Sequence, residues 1–228
     1  MTKTIFFKCA LIILVLLMAS FALSIPVCLR KTPQKHIKSS RVEINRTEID
    51  RGETITPQVA PALMLADNYS YRQDDPIWAS DKIGATSDSL GHFGCTIASV
   101  SVAASNLLGT EITPEDMNTR LSDVNGFTNR GWLVWKHVET ATDGQIRAAL
   151  DPKPSHEAIN QCMLADGYPV IKIKLGGEVI HWVVIVGRAD NDYLIRDPLV
   201  GTAKDEPIQL SSRSENIYAS RCVTLNSD

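Results

Sequence analysis

Gly91-His92-Phe93-Gly94-Cys95-Thr96-Ile97-Ala98-Ser99-Val100-Ser101-Val102-Ala103-Ala104-Ser105-Asn106-Leu107-Leu108-Gly109 reads as a tight turn, a cysteine and a helix of small residues. Gly91 and Gly94 let the backbone bend sharply and approach other groups closely. Ala, Ser, Val and Leu dominate from Thr96 onward, and Gly109 stands where a helix would stop. Cys95 is thereby placed at a helix N-terminus, where the dipole and the free N–H groups favour a thiolate. Small side chains suit a helix pressed against its neighbours, so the expectation is a central, buried helix that begins with a nucleophilic thiol. The plainer reading of a lone cysteine is a small core residue beside a glycine turn. Partners elsewhere in the chain decide between the two.

The chain has 228 residues, 44% hydrophobic and 21% charged, which fits one globular domain with an appendage. A net charge of −3 gives no sign of a nucleic-acid partner. The five cysteines are scattered, and no CxxC pair or Cys/His cluster has zinc-site spacing. Neither a metal nor a cofactor is expected.

Residues 1–8 are short and basic, and residues 9–29 carry no charge and are rich in Ile, Leu and Val. That segment is long enough to span a bilayer. A signal peptide is the competing reading, because the apolar core at residues 10–18 is compact and Ala19, Ala22 and Ser24 offer small residues for cleavage. Val27 before Cys28 is too large for a lipidation box. Arg30, Lys31, Lys35, Lys38 and Arg41 follow the segment, so an uncleaved helix would favour a cytoplasmic C-terminus. A signal peptide or anchor at residues 1–29, with an exported domain either secreted or membrane-anchored, is the favoured reading. Residues 30–66 are polar, with Pro57 and Pro61, and read as a linker or stalk. Asn45-Arg46-Thr47 and Asn68-Tyr69-Ser70 are glycosylation acceptor triplets, which matter only in a eukaryotic secretory route.

Residues 67–228 read as the folded part. Gln73-Asp74-Asp75-Pro76 is turn-like. Gln73 offers an amide N–H to a developing oxyanion, against the plainer reading of a solvated loop glutamine. Thr113-Pro114-Glu115-Asp116 predicts a helix start with a cap, a proline in the first turn and acids near the dipole. Trp132, Trp135 and Val138 are spaced for one face of a short helix, on which His137 is a rival catalytic base, against the favoured reading of a packed or surface histidine beside Val134 and Val138. Ser155 caps a further helix that Gly167 closes, with Ile159, Cys162 and Met163 on its apolar side. Cys162 is there read as a core residue.

The period then changes from helix to strand. Residues 169–175, 179–187 and 193–197 read as consecutive antiparallel strands, the last two joined as a hairpin through the turn-like Ala189-Asp190-Asn191-Asp192. A final strand is expected near residues 221–225. His181 opens the most apolar strand and is a candidate base, against the reading of a satisfied core histidine. Asp197 ends the returning strand and would orient the imidazole. An odd connecting loop puts the two on one face; an even, unbulged loop puts them on opposite faces.

Gln73-Asp74-Asp75-Pro76-Ile77-Trp78-Ala79, Ser89-Leu90-Gly91-His92-Phe93-Gly94-Cys95-Thr96-Ile97-Ala98-Ser99-Val100, Gly109 with Thr113-Pro114, Gly131-Trp132-Leu133-Val134-Trp135, His181-Trp182-Val183-Val184-Ile185-Val186-Gly187 and Tyr193-Leu194-Ile195-Arg196-Asp197-Pro198 follow one another in this order. The order resembles that of the C39-like cysteine peptidases, papain-like proteins related to the bacteriocin-processing peptidases. The resemblance covers roughly residues 69–197. It implies an α+β, papain-like fold with the cysteine helix packed on an antiparallel sheet. It implies Cys95 as nucleophile, His181 as general base, Asp197 as its orienting group and Gln73 as part of the oxyanion hole. The transporter domain and ATP-binding cassette that accompany the bacteriocin processors are not found in these residues, so their leader-peptide substrate does not carry over.

The expected function is a thiol hydrolase that cleaves peptide or amide bonds of a peptide or protein substrate through an acyl-enzyme, with membrane contact only through the N-terminal segment. Two alternatives stay open. One is a non-catalytic papain-like binding module tethered at the cell surface. The other is a cell-wall amidase or acyltransferase using the same residues.

Overall fold

A computed structural model of the chain describes residues 62–201 and 205–226. The expected signal or anchor at residues 1–29, and the linker up to residue 61, lie outside the described residues. In chain order the elements are β1 (Leu63–Met64), α1 (Leu90–Phe93), α2 (Cys95–Leu108), α3 (Pro114–Asp123), α4 (His137–Ala141), β2 (Ile146–Leu150), α5 (His156–Leu164), β3 (Tyr168–Leu175), β4 (Val179–Ala189), β5 (Asp192–Arg196), β6 (Ile208–Gln209), a 3₁₀ turn (Leu210–Ser212) and β7 (Ala219–Leu225). None of the described helices is long and apolar enough to cross a membrane.

The strands form one antiparallel sheet in the order β2-β7-β3-β4-β5-β6, with β1 paired to β4. The three strands expected in succession, β3, β4 and β5, lie side by side. Strand β7 inserts between β2 and β3, so the last part of the chain is interior to the sheet. Both faces are covered. Residues of α2, α3 and α4 pack with Val170, Val184, Val186 and Val223 on one face. Ile159 and Met163 of α5 and Leu210 of the 3₁₀ turn pack with Ile171, Ile173, Val183, Ile185 and Ile195 on the other. This two-sided cover explains why β3 and β4 read as nearly continuous apolar runs.

Helix α2 is buried from Ile97 to Asn106. Its small side chains let it lie close to the sheet, and its buried polar groups are satisfied mostly by neighbouring segments. Ser99 Oγ donates to the Trp182 carbonyl at 3.1 Å. Ser105 Oγ donates to the Ile112 carbonyl and accepts from the Ile112 N–H. Asn106 Nδ2 donates to the carbonyls of Tyr69 and Val102. Burial without these bonds would cost about 1–3 kcal/mol per polar group. Gly109 ends the helix in the left-handed region (φ 63°), as Gly is suited to do. Thr113 and Asp116 form the capping box of α3, and Ser155 Oγ accepts from the Ala158 N–H at the start of α5.

Several boundaries differ from the sequence reading. Leu63–Met64, inside the expected linker, pair with β4 as β1, so the folded part begins before residue 67. The helix at Trp132 starts later, at His137. Leu133 is instead bridged to Phe127, and Trp132 is exposed with the Arg130 guanidinium 5.6 Å from its ring. Helix α5 stops at Leu164, and Asp166 takes a left-handed φ of 55° before Gly167. Cys162 is not a free core thiol: it is disulfide-bonded to Cys222, which ties α5 to β7. A Cβ on Gly167 would sit 2.9 Å from each of those sulfurs, so only glycine fits beside the bridge.

Candidate active site

Cys95 is the first residue of α2, half-buried, and a free thiol. The short helix α1 leads into it through Gly94, whose φ is an ordinary −78°. The turn needs its glycines for space rather than for left-handed backbone. A Cβ on Gly94 would collide with the Leu90 carbonyl, and one on Gly91 would come within 2.9 Å of the Ala79 carbonyl.

His181 enters on β4 and is 3% exposed. Its Nε2 donates to Asp197 Oδ1 at 2.7 Å, and the Asp197 side chain is fully buried. An ionised carboxylate only accepts, so the proton sits on Nε2. That leaves Nδ1 unprotonated in the neutral ring, and the Cys95 thiol is near enough to act on the imidazole. Burial disfavours the imidazolium, but the hydrogen bonds to Asp197 and Cys95 outweigh it and raise the His181 pKa to about 9.

The hairpin brings these side chains together by a route the loop count alone does not suggest. Ala189 pairs with Asp192, so the turn is Asp190–Asn191, both with positive φ (51° and 65°). That is an even loop, of the kind that favours Asn and Asp. Continued without interruption, it would set Asp197 opposite Val184, away from His181. The register shifts between Ile185 and Gly187, and beyond the shift Val184 pairs with Arg196. One step further, Asp197 faces Val183, on the same side as His181 and diagonal to it. The bulge at Val186 therefore sets the face on which Asp197 stands. Its carbonyl accepts from the Leu65 N–H at 2.9 Å, so β1 braces it.

Asp197 is held at both oxygens. Oδ1 also accepts from the Leu199 N–H at 2.8 Å, and Oδ2 accepts from Arg213 Nε at 2.7 Å. Burial raises its pKa, but these donors and His181 outweigh it and hold the carboxyl below the usual range. Arg213 follows the 3₁₀ turn at the end of β6, and its side chain is 25% exposed. No local motif marks it in the sequence; only the sheet order brings it beside Asp197.

Gln73 is 3% exposed rather than a solvated loop residue. Its Nε2 donates to the Gly91 carbonyl at 2.9 Å and its backbone N–H to the Pro198 carbonyl at 2.9 Å. It ties the turn before Cys95 to the residue after Asp197. Its Oε1 is buried and has no hydrogen-bond partner among the described residues. Trp78 Nε1 donates to the Arg72 carbonyl and anchors the same loop.

The rival histidine stands apart from this cluster. His137 Nδ1 bonds the Val124 carbonyl at 2.7 Å and holds a loop. His156 stacks on Tyr193 and bonds its hydroxyl. Among the described residues no group of three His, Cys, Asp or Glu side chains is placed to hold a metal. The cavities against His156 and Tyr193, and against Phe127 and Thr128, are lined by neither Cys95 nor His181.

No family model matches the chain, and no curated protein matches it. Among solved structures it is similar to a protein from Bacillus anthracis provisionally described as a C39-like peptidase, at 14% identity and a TM-score of 0.47, over 72% of this chain and 98% of that one. At that identity and TM-score the likeness assigns no activity here.

Proposed function

We propose that this chain is a thiol hydrolase that cleaves peptide or amide bonds through Cys95. The observation that carries the reading is His181, buried and bonded to a fixed carboxylate, with the Cys95 thiol at a helix start among the groups that act on its ring. In this reading the chain is a C39-like, papain-like cysteine peptidase.

His181 Nδ1 takes the thiol proton, while Asp197 stabilises the imidazolium and keeps Nε2 pointed away from the sulfur. The thiolate adds to the substrate carbonyl. The negative oxygen is assigned in this reading to the N–H groups at the start of α2 and to the Gln73 amide, which is bound beside the same turn at the Gly91 carbonyl. The imidazolium then gives its proton to the leaving nitrogen, which departs and leaves a thioester on Cys95. Water, deprotonated by the same imidazole, releases the acid and restores the thiol. A raised His181 pKa suits the donor role, because the proton is held until an amine needs it.

The domain is placed outside the cytoplasm in this reading, secreted or tethered by residues 1–29. The support is the Cys162–Cys222 disulfide, since such bonds persist in oxidising compartments. The test of the chemistry is labelling by iodoacetamide alongside hydrolysis of a peptide library. Fast labelling of Cys95 in the wild type, slowed in His181→Ala and absent in Cys95→Ala, is expected. Equal labelling of wild type and His181→Ala would overturn the reading.

A further inference from the structure

The sheet face that carries α2 continues past the start of that helix. Ser99, one helical turn in from Cys95, bonds the Trp182 carbonyl, and Ile180, next along that face of β4, is 60% exposed. Register fixes what stands beside them. Lys172 of β3 opposes Trp182, and Lys174 opposes Ile180. On β7, Ala219 opposes Lys172 and Arg221 opposes Val170. Opposed residues share a face, so Trp182, Ile180, Lys172, Lys174 and Arg221 line one surface.

Aromatic rings hold two of its three cations. Lys174 Nζ is 4.8 Å from the Tyr218 ring centroid, and the Arg221 guanidinium is 5.2 Å from that of Trp135. Trp135 in turn packs on Trp182, with centroids 5.1 Å apart. Among the described residues none of Lys172, Lys174 and Arg221 forms an ion pair. Asp151, whose charge reaches Arg221, is bound by the Ser220 hydroxyl, and Glu178 is exposed on the β3–β4 turn. A chain of net charge −3 thus presents a basic, aromatic shelf on the face of β4 opposite to that of His181, which shares the side of Ile173 and Val183. A solvated charged face has no physical need of interleaved rings and an exposed isoleucine.

We propose that this shelf binds an acidic, extended segment of the substrate away from the scissile bond, across the face of β4 that turns from His181. Lys172 and Lys174 project from alternate positions of one strand, a spacing of roughly 6.8 Å. An extended peptide presents alternate side chains at the same repeat, so carboxylates two residues apart meet the two lysines. Apolar residues of the peptide cover Ile180 and Trp182. That the bound segment belongs to a substrate rests on the thiol-hydrolase reading; the charge preference does not.

The test uses the full chain carrying Cys95→Ala, which binds without turnover. Fluorescence anisotropy compares a labelled peptide alternating Glu with Leu and its Gln-for-Glu counterpart. The Glu peptide is expected to bind roughly tenfold tighter at low salt, the sum of a few exposed charge contacts, with the difference shrinking as salt rises. Lys172→Gln with Lys174→Gln removes the preference while the circular dichroism spectrum is unchanged. Arg221→Gln, tested separately, reduces it. Equal binding of the two peptides, a preference that survives the double lysine variant, or tighter binding of anionic vesicles or polyphosphate than of the Glu peptide would overturn the proposal. Iodoacetamide labelling of the wild type is run in parallel, so an inert Cys95 and a neutral shelf are distinguished.

Discussion

His181 Nε2 and Asp197 Oδ1 stand 2.7 Å apart in the interior, with Arg213 on the second carboxylate oxygen. The bond to Asp197 is the largest influence favouring the imidazolium, ahead of the bond to Cys95. Asp197→Asn is therefore expected to lower the His181 pKa further from about 9 than alkylation of Cys95 does, as read by NMR titration of the ring protons. An amide also accepts or donates at that position and no longer fixes the tautomer. Hydrolysis is expected to fall about 10²–10⁴-fold. A larger drop in pKa on alkylating Cys95 would show that the thiol, not the carboxylate, governs the ring.

The same shift gives a pH dependence of stability with a definite sign. The folded His181 pKa is about 9 against a reference of 6.5, so folding favours the protonated ring. Its contribution is fully present below pH 6.5 and is lost as pH rises through about 9. Asp197 works in the opposite window: its folded pKa lies below the reference of 3.8, so its contribution is present above that value and lost on acidification. The melting-temperature gap between wild type and His181→Gln should be widest below pH 6.5 and close towards pH 9. A gap that widens over that interval would contradict the assignment.

What the sequence made legible is what local rules encode. The Thr113 capping box, the Gly109 stop, the cysteine at a helix start and the Asp190–Asn191 turn each depend on neighbours a few residues apart, and each stands in the fold. The Val186 bulge does not depend on such neighbours. Its residue type is ordinary for a buried strand, and the register shift is set by β1 pairing on one side and β5 on the other. Arg213 has no motif, because its meaning comes from β6 placing the 3₁₀ turn next to Asp197. The edge strand β2 was missed because Arg147-Ala148-Ala149 gives no strong alternation. The Cys162–Cys222 pairing joins an α5 residue to a strand that the sheet order, not the sequence order, makes its neighbour.

Arg213 neutralises the far oxygen of Asp197, and its removal has two consequences that a packing role alone does not combine. Arg213→Gln takes a hydrogen bond from a buried charge, costing about 1.5–3 kcal/mol. It also leaves the carboxylate less neutralised, so the neighbouring imidazolium is better stabilised and the His181 pKa rises. Arg213→Lys keeps the charge and should recover most of the pKa change. Thermal denaturation with NMR titration checks both. Destabilisation with an unmoved or lowered His181 pKa would reduce Arg213 to a packing residue.

The disulfide closes a loop with a sequence separation of 60, for which chain-entropy reasoning gives about 4 kcal/mol of stabilisation. That loop contains His181, Asp197 and Arg213, while Cys95 lies outside it. Reduction, or Cys162→Ala with Cys222→Ala, should lower the melting temperature substantially. Below the new transition the rate of Cys95 labelling should be unchanged, because neither sulfur touches the His181 cluster. A reduced protein with unaltered melting behaviour would show that α5 and β7 are held by packing alone.

Gly187 is the residue through which β1 reaches the bulge that places Asp197. Met64 opposes it in the strand pairing, and a Cβ on Gly187 would collide with the Met64 sulfur and come within 3.0 Å of the Leu63 carbonyl. The sulfur is the end of a flexible side chain, whereas the carbonyl is backbone paired into the sheet. Gly187→Ala is accordingly expected to cost about 1–3 kcal/mol by overpacking. In a Met64→Ala background the cost should shrink but persist, since the carbonyl contact remains. A double-mutant cycle in chemical denaturation measures the coupling. Additive losses would show that Met64 gives way freely. Full recovery would show that the backbone contact is relaxed at no cost, and that β1 does not brace the bulge.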